Sequence, residues 1–420
     1  MTFLSKLLSL TCISLFPITI TAQDINDWLQ EQLSLSVELR HLDYEQTYQI
    51  VSDPPKRLEK DMDPLLTSLV IIECERAFGL DSVALMFGDL ILERAPKYRL
   101  EKGVALSLFF LKYKHLFFHN KFKEIEQMTD YIDQHWAEDE RMRLQSAHWR
   151  RIAQAGKDVE PVKIQRSKNV VGLNHELDYM GHMFIEANLN QSKNRRLIVD
   201  TGLLSSTILF KDFANQIGVH LLPDSTHASS ATHPDAAYNM QLGILDSLRI
   251  DDILILNLPV WVSDEANEYD CDGFIGTPDL ARLDYVEFTR DSIIFRYPVP
   301  EPSSHSNFTM NAGAHGDRCI CLPCKINGNY SSFLFDTGSG GFLLPQHYSE
   351  IKDGVFIEVG GVQMRVAPNM MSAHGFAPYE DSRGFFGTPL LYAFEKLCFN
   401  FRDCNVEYVR KKDLDFIEFY

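Results

Sequence analysis

The sequence predicts an α+β multidomain chain: an N-terminal all-α helical-hairpin domain, then two β-rich units related by pseudo-two-fold symmetry. Three observations predict this. Apolar residues recur at helical spacing up to about residue 155, and strand-like runs with Gly, Asn, Asp and Pro punctuation take over after Pro161. The triplet Asp200-Thr201-Gly202 returns as Asp336-Thr337-Gly338. The string Gly273-Phe274-Ile275-Gly276-Thr277-Pro278 returns as Gly384-Phe385-Phe386-Gly387-Thr388-Pro389.

The chain has 420 residues, 45% hydrophobic and 23% charged, a composition that excludes wholesale disorder. Its formal charge of -18 comes with no basic block, so no phosphate-tracking surface and no nucleic-acid partner are expected.

Residues 1–23 read as a signal peptide. Lys6 supplies the positive charge, residues 7–20 the apolar stretch, and Thr21-Ala22-Gln23 a small residue for cleavage. The expected location is exported: periplasmic, secreted or on the outer surface. Such a compartment permits disulfides, and Cys398 and Cys404 flank a candidate hairpin across which they could pair. Cys319-x-Cys321-x-x-Cys324 lacks the second Cys or His pair of a zinc site, so no metal and no cofactor are expected.

Residues 24–165 form the helical domain. Segments 65–78 and 82–93 are apolar at helical spacing with Gly79 between them, and 104–118 and 121–134 repeat that layout. Residues 141–155 add another amphipathic helix, ended by Gly156. The pattern is similar to stacked helical hairpins of the TPR kind but lacks their signature residues. A plain bundle is the simpler reading. A docking module for a protein partner is the alternative.

Residues 168–300 and 305–420 are the two β-rich units. In the first, residues 179–188 read as a strand, 191–194 as a turn, and Leu197-Ile198-Val199 run into Asp200. In the second, residues 318–326 read as a strand, Asn327-Gly328 as a tight hairpin turn, and Phe333-Leu334-Phe335 run into Asp336. Each unit ends in a further hairpin, at residues 285–297 and 397–409.

A lone Asp-Thr-Gly makes a turn and little else. Two copies in one hairpin context, each followed by the same Gly-rich string, resemble the aspartic peptidases, specifically the bilobal pepsin-like and retropepsin-like group in its exported bacterial form. The resemblance covers residues 179–420 and leaves out the helical region. It implies two pepsin- or retropepsin-like lobes, each donating one catalytic Asp: Asp200 and Asp336. It implies that Thr201, Gly202, Thr337, Gly338 and Ser339 support the pair, and that the substrate is a polypeptide. Both copies lie in one chain, so activity as a single chain is expected. The chemistry agrees with the residue types. Hydrolysis of a peptide bond by water needs a base for the water and an acid for the carbonyl, and two carboxyls sharing one proton supply both. Gly202 and Gly338 let the two loops approach where a Cβ would clash.

Two departures from the family pattern stand out. Leu203 occupies the position where the second copy has Ser339. A hydroxyl there is expected to bond the neighbouring carboxylate, so Asp336 is expected to be the ionised member and Asp200 the protonated one. The interval from Asp200 to Gly273 also exceeds that from Asp336 to Gly384. The extra length should carry a flap hairpin at residues 224–246, with Thr232, His233, Pro234 and Asp235 at its tip. In the second unit only a short hairpin turning at Gly360-Gly361 is expected. The leading function is an exported aspartic endopeptidase. The alternative is a weak or inactive peptide-binding pseudoprotease whose helical domain is the main interaction module. An inhibitory pro-region at residues 24–165 fits poorly, because that segment is not basic.

Overall fold

The computed structural model describes residues 102–420 except 204, 229–237, 266, 302–307, 309–319, 344–353, 368–370, 373–383 and 420, plus five positions between 85 and 92. Candidate helix 65–78, most of 82–93, the signal segment and the flap tip Thr232–Asp235 lie outside the described residues.

Among the described residues, three helices with full ranges precede the strands: Lys102–Phe118, Phe122–His135 and Glu140–Ala155. In the second, Phe122, Ile125, Met128, Thr129 and Ile132 are buried, the three-and-four spacing that puts one stripe inward. The third starts at Asp139, whose carboxylate accepts the Met142 N–H at 3.1 Å and caps the free first turn. It buries Trp149, which stacks on Tyr113 at 4.9 Å between centroids.

The helices pack on sheet. Their apolar stripe shares one core with Leu222, Leu242 and Ile244 of the antiparallel strands His220–Ala228 and Tyr238–Ile250. Those two strands are the arms of the expected first-unit hairpin, paired as far as Ala228 opposite Tyr238.

The first unit is built on a nine-stranded sheet. At its centre, Met183–Leu189 pairs antiparallel with Ser192–Asp200, which pairs in parallel with Gly273–Gly276. The second unit repeats that centre in an eight-stranded sheet: Cys321–Ile326 pairs antiparallel with Asn329–Phe335, which pairs in parallel with Phe385–Phe386. The turn between the first two strands has Asn327 at φ 48° and Gly328 at φ 84°, the left-handed pair that a two-residue hairpin needs. The hairpin Val355–Val359/Val362–Val366 turns at Gly360 and Gly361, also left-handed at φ 53° and 77°.

A third, five-stranded sheet joins the units. It runs Val170–Asn174, Ser292–Arg296, Tyr285–Thr289, Phe394–Asn400, Asn405–Arg410, so the closing hairpins of both units lie in one ladder. Phe288 and Phe399 of this sheet hold Phe335, the residue before Asp336, at ring distances of 5.6 and 5.5 Å.

The expected Cys398–Cys404 disulfide does not form, and both residues are buried. The hairpin register explains why. Cys398 lies opposite Glu407, whereas Cys404 sits in the turn at φ 46°. The Cys398 thiol instead meets the Tyr285 hydroxyl.

Candidate active site

The first Asp-Thr-Gly closes the strand Ser192–Asp200, and the second follows the strand Asn329–Phe335. In each case the parallel neighbour from the Gly-rich string fixes the loop. Gly276 lies beside Asp200 in register, and the Asp336 N–H donates to the Phe386 carbonyl at 2.8 Å.

The two loops meet face to face. A Cβ built on Gly202 would stand 2.5 Å from Asp336 Cγ, and one on Gly338 would stand 2.5 Å from Asp200 Cγ. Only a residue without a side chain permits either approach.

Thr201 and Thr337, both fully buried, cross-brace the loops. The Thr201 N–H donates to Thr337 Oγ1 at 3.1 Å and the Thr337 N–H to Thr201 Oγ1 at 2.9 Å. Each hydroxyl then donates across to the opposite strand, Thr201 to the Phe335 carbonyl and Thr337 to the Val199 carbonyl, both at 2.6 Å. Every polar atom of the brace is partnered, as burial requires.

The carboxyls of Asp200 and Asp336 share a hydrogen bond, and both side chains are half-buried, so the pair is shielded but reachable. Asp200 Oδ1 accepts the Gly202 and Leu203 N–H groups at 2.9 and 3.0 Å; Asp336 Oδ1 accepts the Gly338 N–H at 2.9 Å. Burial raises both carboxyls above the ordinary carboxylate range. Asp336 goes well above it, because the Asp200 charge and the shared hydrogen bond act in the same direction. Asp200 rises less, since the hydrogen bond from Asp336 and the Gly202 and Leu203 N–H groups stabilise its charged form. So close a pair keeps one proton between its two carboxyls, and the ionisation steps belong to the pair.

The hydrogen bond on which the protonation expected from Leu203 and Ser339 depends is not formed. The Ser339 hydroxyl does not bond Asp336; it accepts the Gly341 N–H at 3.3 Å. Leu203 contributes its backbone N–H, which every residue but proline carries. Side-chain identity was the wrong signal at this position.

Thr277 and Thr388 were passed over when the repeated string was read only for its glycines. The Thr277 N–H donates to the Leu203 carbonyl at 3.2 Å and the Thr388 N–H to the Ser339 carbonyl at 2.8 Å. The Thr277 hydroxyl donates to the Thr201 carbonyl at 2.8 Å, whereas that of Thr388 reaches the Gly181 carbonyl of the first unit at 2.9 Å. Their recurrence at one place in both copies was the available signal. Tyr238, at the described end of the hairpin, has a phenol pushed up to about 12 by burial, helped by the charges of Glu265, Tyr269 and Asp200. Among the described residues, no group of three or more His, Cys, Asp or Glu side chains could hold a metal ion.

Residues 185–278 match the family model of aspartyl proteases. The matched aspartyl protease segment contains Asp200, its Thr-Gly and the whole first Gly-rich string; Asp336 lies outside it. The match supports a peptidase of the aspartic type. Among solved structures, the chain is similar to a retropepsin-like aspartic protease from Rickettsia conorii, at 20% identity and a TM-score of 0.23, over 32% of this chain and 92% of that one. No curated protein matches.

Proposed function

We propose that the chain is an exported aspartic endopeptidase that hydrolyses peptide bonds with a water activated by Asp200 and Asp336. One observation carries this: two carboxyls from duplicated loops share a hydrogen bond in a shielded, cross-braced site. Close, buried like charges do not both ionise cheaply, so the working state holds one proton on the pair. Asp200, the ionised member, takes a proton from the attacking water. Asp336 gives its proton to the carbonyl oxygen. The tetrahedral gem-diol then collapses, the amide nitrogen leaves with a proton, and the pair regains its starting charge. The Gly202 and Leu203 N–H groups hold Asp200 charged, and the Thr201–Thr337 brace fixes the two carboxyls relative to each other.

The substrate in this reading is an extended or unfolded polypeptide. Its activity needs no cofactor, and both halves of the site come from one chain after removal of residues 1–23. The helical layer is proposed to receive a protein partner. The test is to incubate purified mature protein with a denatured protein mixture across about pH 3 to 8 and to sequence the cut ends. Asp200→Asn and Asp336→Asn should each lower turnover by roughly 10²–10⁴-fold with the circular dichroism spectrum unchanged. Near-full turnover in either variant refutes a shared-proton mechanism.

A further inference from the structure

A buried ion pair links the first half of the site to the helical layer. Leu203, whose N–H donates to Asp200 Oδ1, is followed by a segment that passes Ser205 and Thr207 into the strand Ile208–Phe210. This segment crosses the Gly-rich string closely: a Cβ built on Gly276 would stand 2.1 Å from the Ser205 carbonyl oxygen and 3.0 Å from that of Leu203. Its far end is held by Asp279, whose Oδ2 accepts the Thr207 N–H at 2.6 Å and the Thr207 hydroxyl at 2.7 Å. Arg282 Nε donates to Asp279 Oδ1 at 3.1 Å, and the two side chains are only 3% and 1% exposed. The guanidinium also reaches the helices. Its Nη2 donates to the Phe118 carbonyl at 2.5 Å, and the group lies over the Phe118 ring at 3.2 Å. Phe118 closes the helix Lys102–Phe118, and a helix end offers carbonyls without intrahelical partners and favours a cation. Two residues on, buried Asn120 fastens the same end to the first unit, its Nδ2 donating to the Asn257 carbonyl at 2.6 Å and the Glu160 carbonyl at 3.2 Å.

The second half shows what this pair is not needed for. Ile208 pairs with Phe274 and Leu343 with Phe385, so Phe342 stands where the first half has Thr207. Counted from Gly276 and Gly387, Leu390 stands for Asp279 and Ala393 for Arg282. Phe342, Leu390 and Ala393 are all buried and apolar, and the second triplet still receives its bond from the string, from the Thr388 N–H to the Ser339 carbonyl. Taking two charges out of water is costly, and apolar residues of similar volume serve as well or better where only packing is required. The first half therefore carries the ion pair for what the apolar version lacks, a donor that holds a helix end.

We propose that Arg282 is a positioning residue for the first half of the site. Through Asp279 and Thr207 it ties the segment that begins with the Leu203 N–H to the end of the helix Lys102–Phe118, and the helical layer is thereby a working part of the site. The inference rests on the peptidase reading only for its activity readout.

Two measurements on the full mature chain test it. Arg282→Met removes the tie to the helix and leaves Asp279 able to hold Thr207. Amide exchange at Leu203, followed by NMR, should quicken by about 10-fold or more, while that at Ser339, the matching place in the second half, stays unchanged. Turnover should show the same asymmetry of cause: kcat falls by about 10-fold with KM unchanged, because the tie places a carboxyl and touches no substrate. Arg282→Lys keeps the charge without the planar fork and should fall between wild type and Arg282→Met in both measurements. If Asp279, left without its cation, prevents Arg282→Met from folding, Asp279→Leu/Arg282→Ala brings in the residues that already serve the second half, and the same changes are expected. Unchanged exchange at Leu203 overturns the inference whether or not the protein cleaves peptides. Equal quickening at Ser339 also overturns it, since that marks a general loosening, and so does an unchanged kcat in a folded variant of a cleaving enzyme. Selective quickening at Leu203 in a protein whose wild type cleaves nothing supports the tie and refutes the peptidase reading alone.

Discussion

The two Asp-Thr-Gly loops have the same backbone scheme and different surroundings. Each Thr braces the other loop, each Gly makes room for the opposite Asp, and each Gly-rich string sends a Thr N–H to the residue after the triplet. The differences lie one shell out. Asp200 accepts the Gly202 and Leu203 N–H groups; Asp336 accepts that of Gly338 and shares that of Gly202, and Ser339 turns its hydroxyl away. A symmetric frame thus sets the distance between the carboxyls, while the groups that solvate each one differ.

The sharpest way to break the symmetric part is to fill its glycines. Gly202→Ala and Gly338→Ala each put a methyl group 2.5 Å from the Cγ of the opposite Asp, far inside contact distance. Both should lower kcat/KM by at least about 10²-fold, through displaced carboxyls, and by similar factors. A large loss in one variant only would show that the loops do not share one scheme.

The asymmetric part is sharpened by stability. Burial and the Asp200 charge hold the Asp336 carboxyl above its ordinary range, so the native state keeps a proton that the unfolded chain has released. Stability tied to that proton is complete below the unfolded value, about pH 4, and is lost as pH rises through the native ionisation. Asp336→Asn removes the dependence. The variant should match wild type below about pH 4 and exceed it at neutral pH by roughly 1 kcal/mol, read as a Tm higher by a few degrees. A variant less stable than wild type at neutral pH would contradict the assignment of the proton to Asp336.

The smallest effect is expected at Ser339. Because its hydroxyl bonds Gly341 and not Asp336, Ser339→Ala should leave the acid limb of the pH profile in place. A shift of about half a pH unit upward would restore the hydroxyl to the carboxyl's hydrogen-bond shell.

What the residues announced in advance follows from what each signal encodes. The Asn327-Gly328 turn and the paired glycines at 360 and 361 were legible because left-handed backbone is confined to few residue types. The helix Phe122–His135 was legible through its three-and-four stripe. The juxtaposition of Gly202 with Asp336 rested on repetition, since no local rule links residues so far apart. Two things were not legible. Backbone donors such as the Leu203 N–H leave no trace in residue identity. The bend of Ser339 toward Gly341 is set by loop geometry. The absent Cys398–Cys404 bond has the same origin: proximity in sequence says nothing about which residues a ladder sets opposite each other.

The five-stranded sheet has a further consequence. Its middle contact is an antiparallel ladder between corresponding strands of the two halves, with Tyr285 opposite Asn400 and Thr289 opposite Lys396. Such a seam is what two identical molecules form about a two-fold axis, where every contact must occur twice. Here the halves are covalently joined, so mutation on one side need not be copied on the other. Leu203 can follow one triplet while Ser339 follows the other, which a self-paired molecule could never do. Joining also hides the seam: cut between the halves, each fragment would bare a strand edge of unpaired N–H and C=O groups, a template for indiscriminate pairing.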